Sequence, residues 1–106
     1  MNYYSPSLLE IEILKNSYIN LTIKHKDELS FFNKRVNKGD KLQFTFDDEI
    51  KFDLLNASHL KAYLNGLSLD SYFTKNNVKI RGSYIVEKSQ LYIGYYNDNQ
   101  NQFIGN

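Results

Sequence analysis

A chain of 106 residues, 42% hydrophobic and 15% aromatic, has enough apolar mass for one packed core and too little length for two, and its nine Tyr and seven Phe argue against intrinsic disorder. Thirteen basic against twelve acidic residues leave a formal charge of +1, so no long-range field favours a nucleic acid or an anionic membrane surface. The lack of Cys excludes disulfides and thiolate chemistry, and no apolar run approaches the ~18 to 20 residues that span a bilayer, so the chain as given reads as a soluble domain.

Residues 1–8, with the one Pro and no periodicity, read as a leader or linker. From Leu9 the pattern is strict alternation: Leu9, Ile11 and Ile13 are separated by Glu10 and Glu12, the two-residue period of a strand with one wet face. Alternation resumes in Tyr18 to His25, with Ile19, Leu21 and Ile23 on the apolar side. After the charged turn Lys26-Asp27-Glu28 comes a strand from Leu29 to Val36, in which adjacent Phe31 and Phe32 must face opposite sides; one of them is expected at an edge or bulge. Asn37-Lys38-Gly39-Asp40 is the clearest turn, Gly39 supplying the positive φ.

Leu42, Phe44 and Phe46 alternate next, and the acidic run Asp47-Asp48-Glu49 ends them. Ile50 to Leu54 and Leu60 to Leu64 read as strands around an Asn56-Ala57-Ser58-His59 turn, closed by Asn65-Gly66, a pair that tolerates positive φ. Leu67 to Thr74 is a loop or a short helical turn, and Lys75-Asn76-Asn77 a turn. Val78 to Arg81 reads as a strand before Gly82, with Tyr84 to Val86 and Leu91 to Tyr96 as a final hairpin. Residues 97–106 are amide-rich and read as a flexible tail. Seven or eight short strands with turn signals about every ten residues predict an all-β, immunoglobulin-like antiparallel β-sandwich over residues 9–96.

Chemistry-bearing residues are sparse. His25 and His59, with Asp27, Asp53 and the Asp47-Asp48-Glu49 run, supply metal-ligand types without a local spacing that assembles them, so no metal and no cofactor is expected. Ser58 beside His59 has no nucleophile elbow, and the five Gly are too scattered to cradle a phosphate; the chain reads as a non-enzyme. The tyrosines are the better candidates. If Leu91, Ile93 and Tyr95 face inward, Tyr92 and Tyr96 share the outer face with Gly94 between them, and together with Tyr63 they are the expected binding residues, since Tyr buries a large area while keeping a polar tip. A binding module of this composition takes a partner strand at an exposed edge, meets a protein on an aromatic face, or stacks Tyr rings on sugars.

Four short motifs, in order, resemble the C-terminal domain of the RodZ family of bacterial cell-shape proteins. Asn16-Ser17-Tyr18 is similar to the family's opening Asp-Ser-Trp, Lys38-Gly39-Asp40 to its middle turn, Leu55-Asn56-Ala57 to its Gly-Asn-Ala turn with Leu55 in place of Gly, and Asn65-Gly66 to its closing pair. The match covers Leu9 to Leu69. The resemblance implies an extracytoplasmic β-sandwich, periplasmic or on the outer side of the inner membrane, that belongs to a membrane-anchored parent and scaffolds proteins of the envelope or elongation machinery without catalysing a reaction. Gly39, Asn56, Asn65 and Gly66 are then turn residues. A small carbohydrate-binding module is the alternative.

Overall fold

The computed structural model describes residues 6–54, 57–73, 79–97 and 100–105, with side chains described for all of these except 57, 72–73, 79–80, 94–97 and 100–105. Two antiparallel sheets pack face to face. The smaller has the order β4-β1-β6-β7 and the larger β10-β9-β8-β5-β2-β3. Their strands are β1 (Ser7–Ile13), β2 (Ser17–His25), β3 (Glu28–Val36), β4 (Lys41–Phe46), β5 (Glu49–Leu54), β6 (Leu60–Leu64), β7 (Leu67–Ser68), β8 (Lys79–Ile85), β9 (Gln90–Asn97) and β10 (Gln100–Gly105). The expected β-sandwich is present, divided among the described residues into ten strands instead of seven or eight. Helical structure among the described residues is one 3₁₀ turn, Ala57–His59, and the four-residue α1 (Asp70–Phe73), neither long enough to cross a membrane.

Alternation decides the core. Leu9, Ile11 and Ile13 of β1 and Leu60, Ala62 and Leu64 of β6 face Ile19, Leu21 and Ile23 of β2, Ile50, Phe52 and Leu54 of β5, and Leu91 and Ile93 of β9, all buried. Two aromatic pairs tie β4 to the opposite sheet: Phe46 meets Tyr84 edge-to-face at 6.0 Å, and Phe44 meets Phe32 at 5.0 Å. The second pair shows how the Phe31-Phe32 conflict is resolved. Phe32 points into the sandwich, and Phe31 points out from an edge strand.

The turns hold as the sequence predicts. Gly39 has φ +94°, and Asn65 and Gly66 have φ +49° and +82°. Asn65 also fastens the chain start: its Oδ1 accepts from Leu8 N at 2.8 Å, its own N–H donates to Leu8 O at 2.8 Å, and its Nδ2 donates to the buried Ser7 Oγ at 3.3 Å. Asn65→Ala removes two side-chain bonds at a left-handed position, and a loss of about 1 to 2 kcal/mol in unfolding free energy is expected. Asn65→Asp keeps the acceptor for Leu8 N, so in urea titrations its midpoint is expected between those of wild type and Asn65→Ala.

Three expectations need correction. Gly82 does not end a strand, because β8 runs unbroken from Lys79 to Ile85. Opposite it in the ladder lies Phe52, whose ring lies over the glycine; a Cβ at residue 82 would stand 2.2 Å from the ring's Cζ. Of the stretch read from Leu67 to Thr74, the described residues 67–73 hold both a strand and a helical turn: β7 pairs with β6, and α1 follows. Gln100–Gly105, read from sequence as tail, pair with β9 as β10. Amide-rich composition marks a polar edge strand there, since an edge needs little apolar surface. Leu55, Asn56 and the Lys75-Asn76-Asn77 turn lie outside the described residues.

Candidate functional site

The histidines stand at opposite ends of β2. His25 closes the strand, with Nδ1 3.6 Å from Asp47 Oδ1 at the surface. At the other end His59 Nδ1 hydrogen-bonds the carbonyl of Asn16 at 3.2 Å, and the His59 carbonyl accepts from Leu14 and Lys15 N–H at 2.7 and 3.1 Å. A nine-residue strand is roughly 30 Å long, so no single ion reaches both rings. Among the described residues no group of three His, Asp or Glu side chains is placed to hold a metal. The acidic run is tied to β2 instead: Asp48 lies 3.8 Å from Lys24, and Asp47 pairs with His25.

The motif residues Asn16 and Lys38-Gly39-Asp40 meet at the His59 end. Asn16 Oδ1 accepts from Lys38 N at 2.9 Å, Gly39 N donates to Ile13 O at 2.8 Å, and Ile13 N donates to Asp40 O at 2.9 Å. Asp40 Oδ2 accepts from Asn37 N at 2.8 Å and closes its own turn. These groups hold the β1–β2 and β3–β4 connections together. Their arrangement is that of a structural clasp.

The three tyrosines do not form one surface. Tyr63 pairs with Glu10 on the outer face of the smaller sheet, in the row that also contains Gln43. Tyr92 lies on the outer face of the larger sheet, opposite Ser83, and its hydroxyl donates to Gln90 Oε1. Leu91 and Ile93 turn inward, as the alternation requires. Residue 96 falls on the same side of β9 as residue 92; its side chain, like that of Tyr95, lies outside the described residues. Tyr63 and Tyr92 thus stand on different sheets; sequence alternation says that a residue points outward without saying from which sheet.

Sequence reasoning left two features unassigned. The outer face of the larger sheet carries a shallow concavity of about 500 Å³ whose polar lining includes Asn20, Thr22, Lys51, Asp53, Arg81 and Ser83. Arg81 Nε donates to Asp53 Oδ1 at 3.0 Å across its floor. The second feature is β3 itself, which ends the larger sheet and holds Leu29 and Phe31 at 57% and 65% exposure, with Tyr18 at 41% on the adjoining strand. Its signal was present in the sequence as the unresolvable Phe31-Phe32 pair. No family model, curated protein or solved structure matches the chain.

Proposed function

We propose that this chain is a non-catalytic protein-binding or scaffolding module of the bacterial cell envelope, akin to the C-terminal domain of the RodZ family and serving cell shape or elongation. Its place on the extracytoplasmic side of the inner membrane, in a membrane-anchored parent, rests on the four motifs. What supports the fold part of this reading is the two-layer β-sandwich; the strand order is not that of an immunoglobulin domain, since β1 and β2 lie in different sheets, whereas the first two immunoglobulin strands share one. The observation that carries a binding role is the nine-residue, Pro-free edge strand β3 with Leu29 and Phe31 in solvent. Unpaired backbone groups beside exposed apolar side chains are what strand addition uses. A photocrosslinking residue at position 31, expressed in the native host, is expected to give adducts with protein at several times the yield of the same residue at exposed Lys61 on the interior strand β6. Equal yields at both positions would overturn the reading.

The concavity favours a glycan-binding alternative. Its amide, carboxylate, guanidinium and hydroxyl groups are sugar-binding types, and Tyr92 flanks it in the register of Ser83. Calorimetric titration with soluble oligosaccharides decides: binding that weakens at least tenfold in Arg81→Ala and Tyr92→Ala, yet persists in Phe31→Glu, would replace the protein-binding reading.

A further inference from the structure

The segment Asp27-Glu28-Leu29-Ser30-Phe31-Phe32-Asn33-Lys34-Arg35 is charge-antisymmetric about Phe31. Two acids stand at positions −4 and −3 from it and two bases at +3 and +4. We propose that β3 pairs antiparallel with β3 of a second copy of this chain, about a two-fold axis through Phe31, joining two six-stranded sheets into one continuous sheet. The inference rests on the reading that the β3 edge is the contact surface, and names its partner.

Symmetry restricts the choice of register. A two-fold axis normal to the sheet keeps outer residues outer, so each residue must oppose one of the same parity. Odd residues of β3 lie with Tyr18, Asn20, Thr22 and Lys24 on the outer face; even ones lie with Ile19, Leu21 and Ile23 on the inner. Centred on Phe31, Glu28 opposes Lys34 in the ladder, and Asp27, in the turn that leads into β3, comes level with Arg35, each twice, with the two Phe31 rings adjacent at the axis. A shift in one direction puts Lys34 opposite Lys26 and Glu28 opposite Phe32. A shift the other way puts Lys34 opposite Ser30 and Arg35 opposite Leu29. Only the central register pairs all eight charges with opposites.

The side chains are poised for this. Among the described residues none of Asp27, Glu28, Lys34 and Arg35 has an ion-pair partner in its own chain. Lys34 stands on the inner face of the edge strand with Nζ 4.8 Å above the Phe32 ring. An inward-facing lysine at a sheet edge normally repels incoming strands. Here the Glu28 carboxylate of a second copy meets that charge, so the edge admits its own sequence and discriminates against strands lacking an acid at that place.

Sedimentation equilibrium over a micromolar to millimolar series tests the pairing. Wild type is expected to dimerise reversibly, and Phe31→Glu to raise the dimer Kd at least tenfold. The double variants Asp27→Lys/Glu28→Lys and Lys34→Glu/Arg35→Glu are each expected to be monomeric alone and to form a heterodimer when mixed, because every pair is then opposite in charge again. Circular dichroism of each confirms an intact fold. A wild type monomeric at millimolar concentration, or a dimer indifferent to both double variants, overturns the inference. In that case adducts at position 31 with a different protein leave the edge-binding reading standing, whereas no adducts remove both.

Discussion

Replacing Phe46 by Ala is expected to lower the unfolding free energy by about 3 to 5 kcal/mol, the largest loss for any single truncation considered. Phe46 ends β4, an edge strand of the smaller sheet, and is 1% exposed, so the whole ring has left water. Its edge-to-face contact with Tyr84, 6.0 Å between centroids, is made across the sandwich to the larger sheet. Truncation removes apolar burial and leaves a cavity between layers that β4, held along one side only by β1, cannot readily collapse. Phe46→Leu keeps most of the volume and is expected to cost less than half as much. Chemical denaturation of both variants checks the order; an Ala variant within about 0.5 kcal/mol of wild type, the size of a surface change, would show that β4 does not anchor the interface.

Gly82→Ala is expected to cost about 3 kcal/mol, the upper part of the overpacking range. The added Cβ would lie 2.2 and 2.4 Å from Cζ and Cε2 of Phe52, and that ring is buried among Ile50, Leu54 and Ile93, with little room to move. Backbone strain plays no part, since residue 82 sits inside a regular ladder between β5 and β9. In the Phe52→Leu background the conflict is relieved, so the double variant is expected to be more stable than the sum of the single losses, the signature of direct contact. Strictly additive midpoints would refute the contact. Because Arg81 adjoins Gly82 and bridges to Asp53, displacement of β8 is also expected to disturb the concavity on the outer face.

Much of the first half of the fold was legible in the sequence. Leu9 to Ile13, Tyr18 to His25 and Leu60 to Leu64 announce themselves by strict alternation, and Gly39 and Asn65-Gly66 by the backbone conformations they tolerate. Such signals are local, and they do not encode partnership. Nothing near Leu9 says that β1 lies between β4 and β6. Nothing near Gly82 says that a phenylalanine thirty residues earlier needs its missing side chain. The binding surface suffered most from this. Tyr63 and Tyr92 both read as binding residues, but only the sheet order reveals that they stand on different sheets. The Phe31-Phe32 conflict points in the sequence to an edge or a bulge, and the sheet order decides for the edge.

The central place of β1 also bears on how the chain is made. Strand β1 finds its ladder partners only when residues 41–46 and 60–64 have followed it, whereas β2–β3 and β8–β9 close as local hairpins. At roughly 5 to 20 residues per second of synthesis, Leu9, Ile11 and Ile13 stay without their sheet for several seconds. Glu10 and Glu12 alternate with those three, and charges interleaved with an apolar strand oppose its association with other chains in that interval.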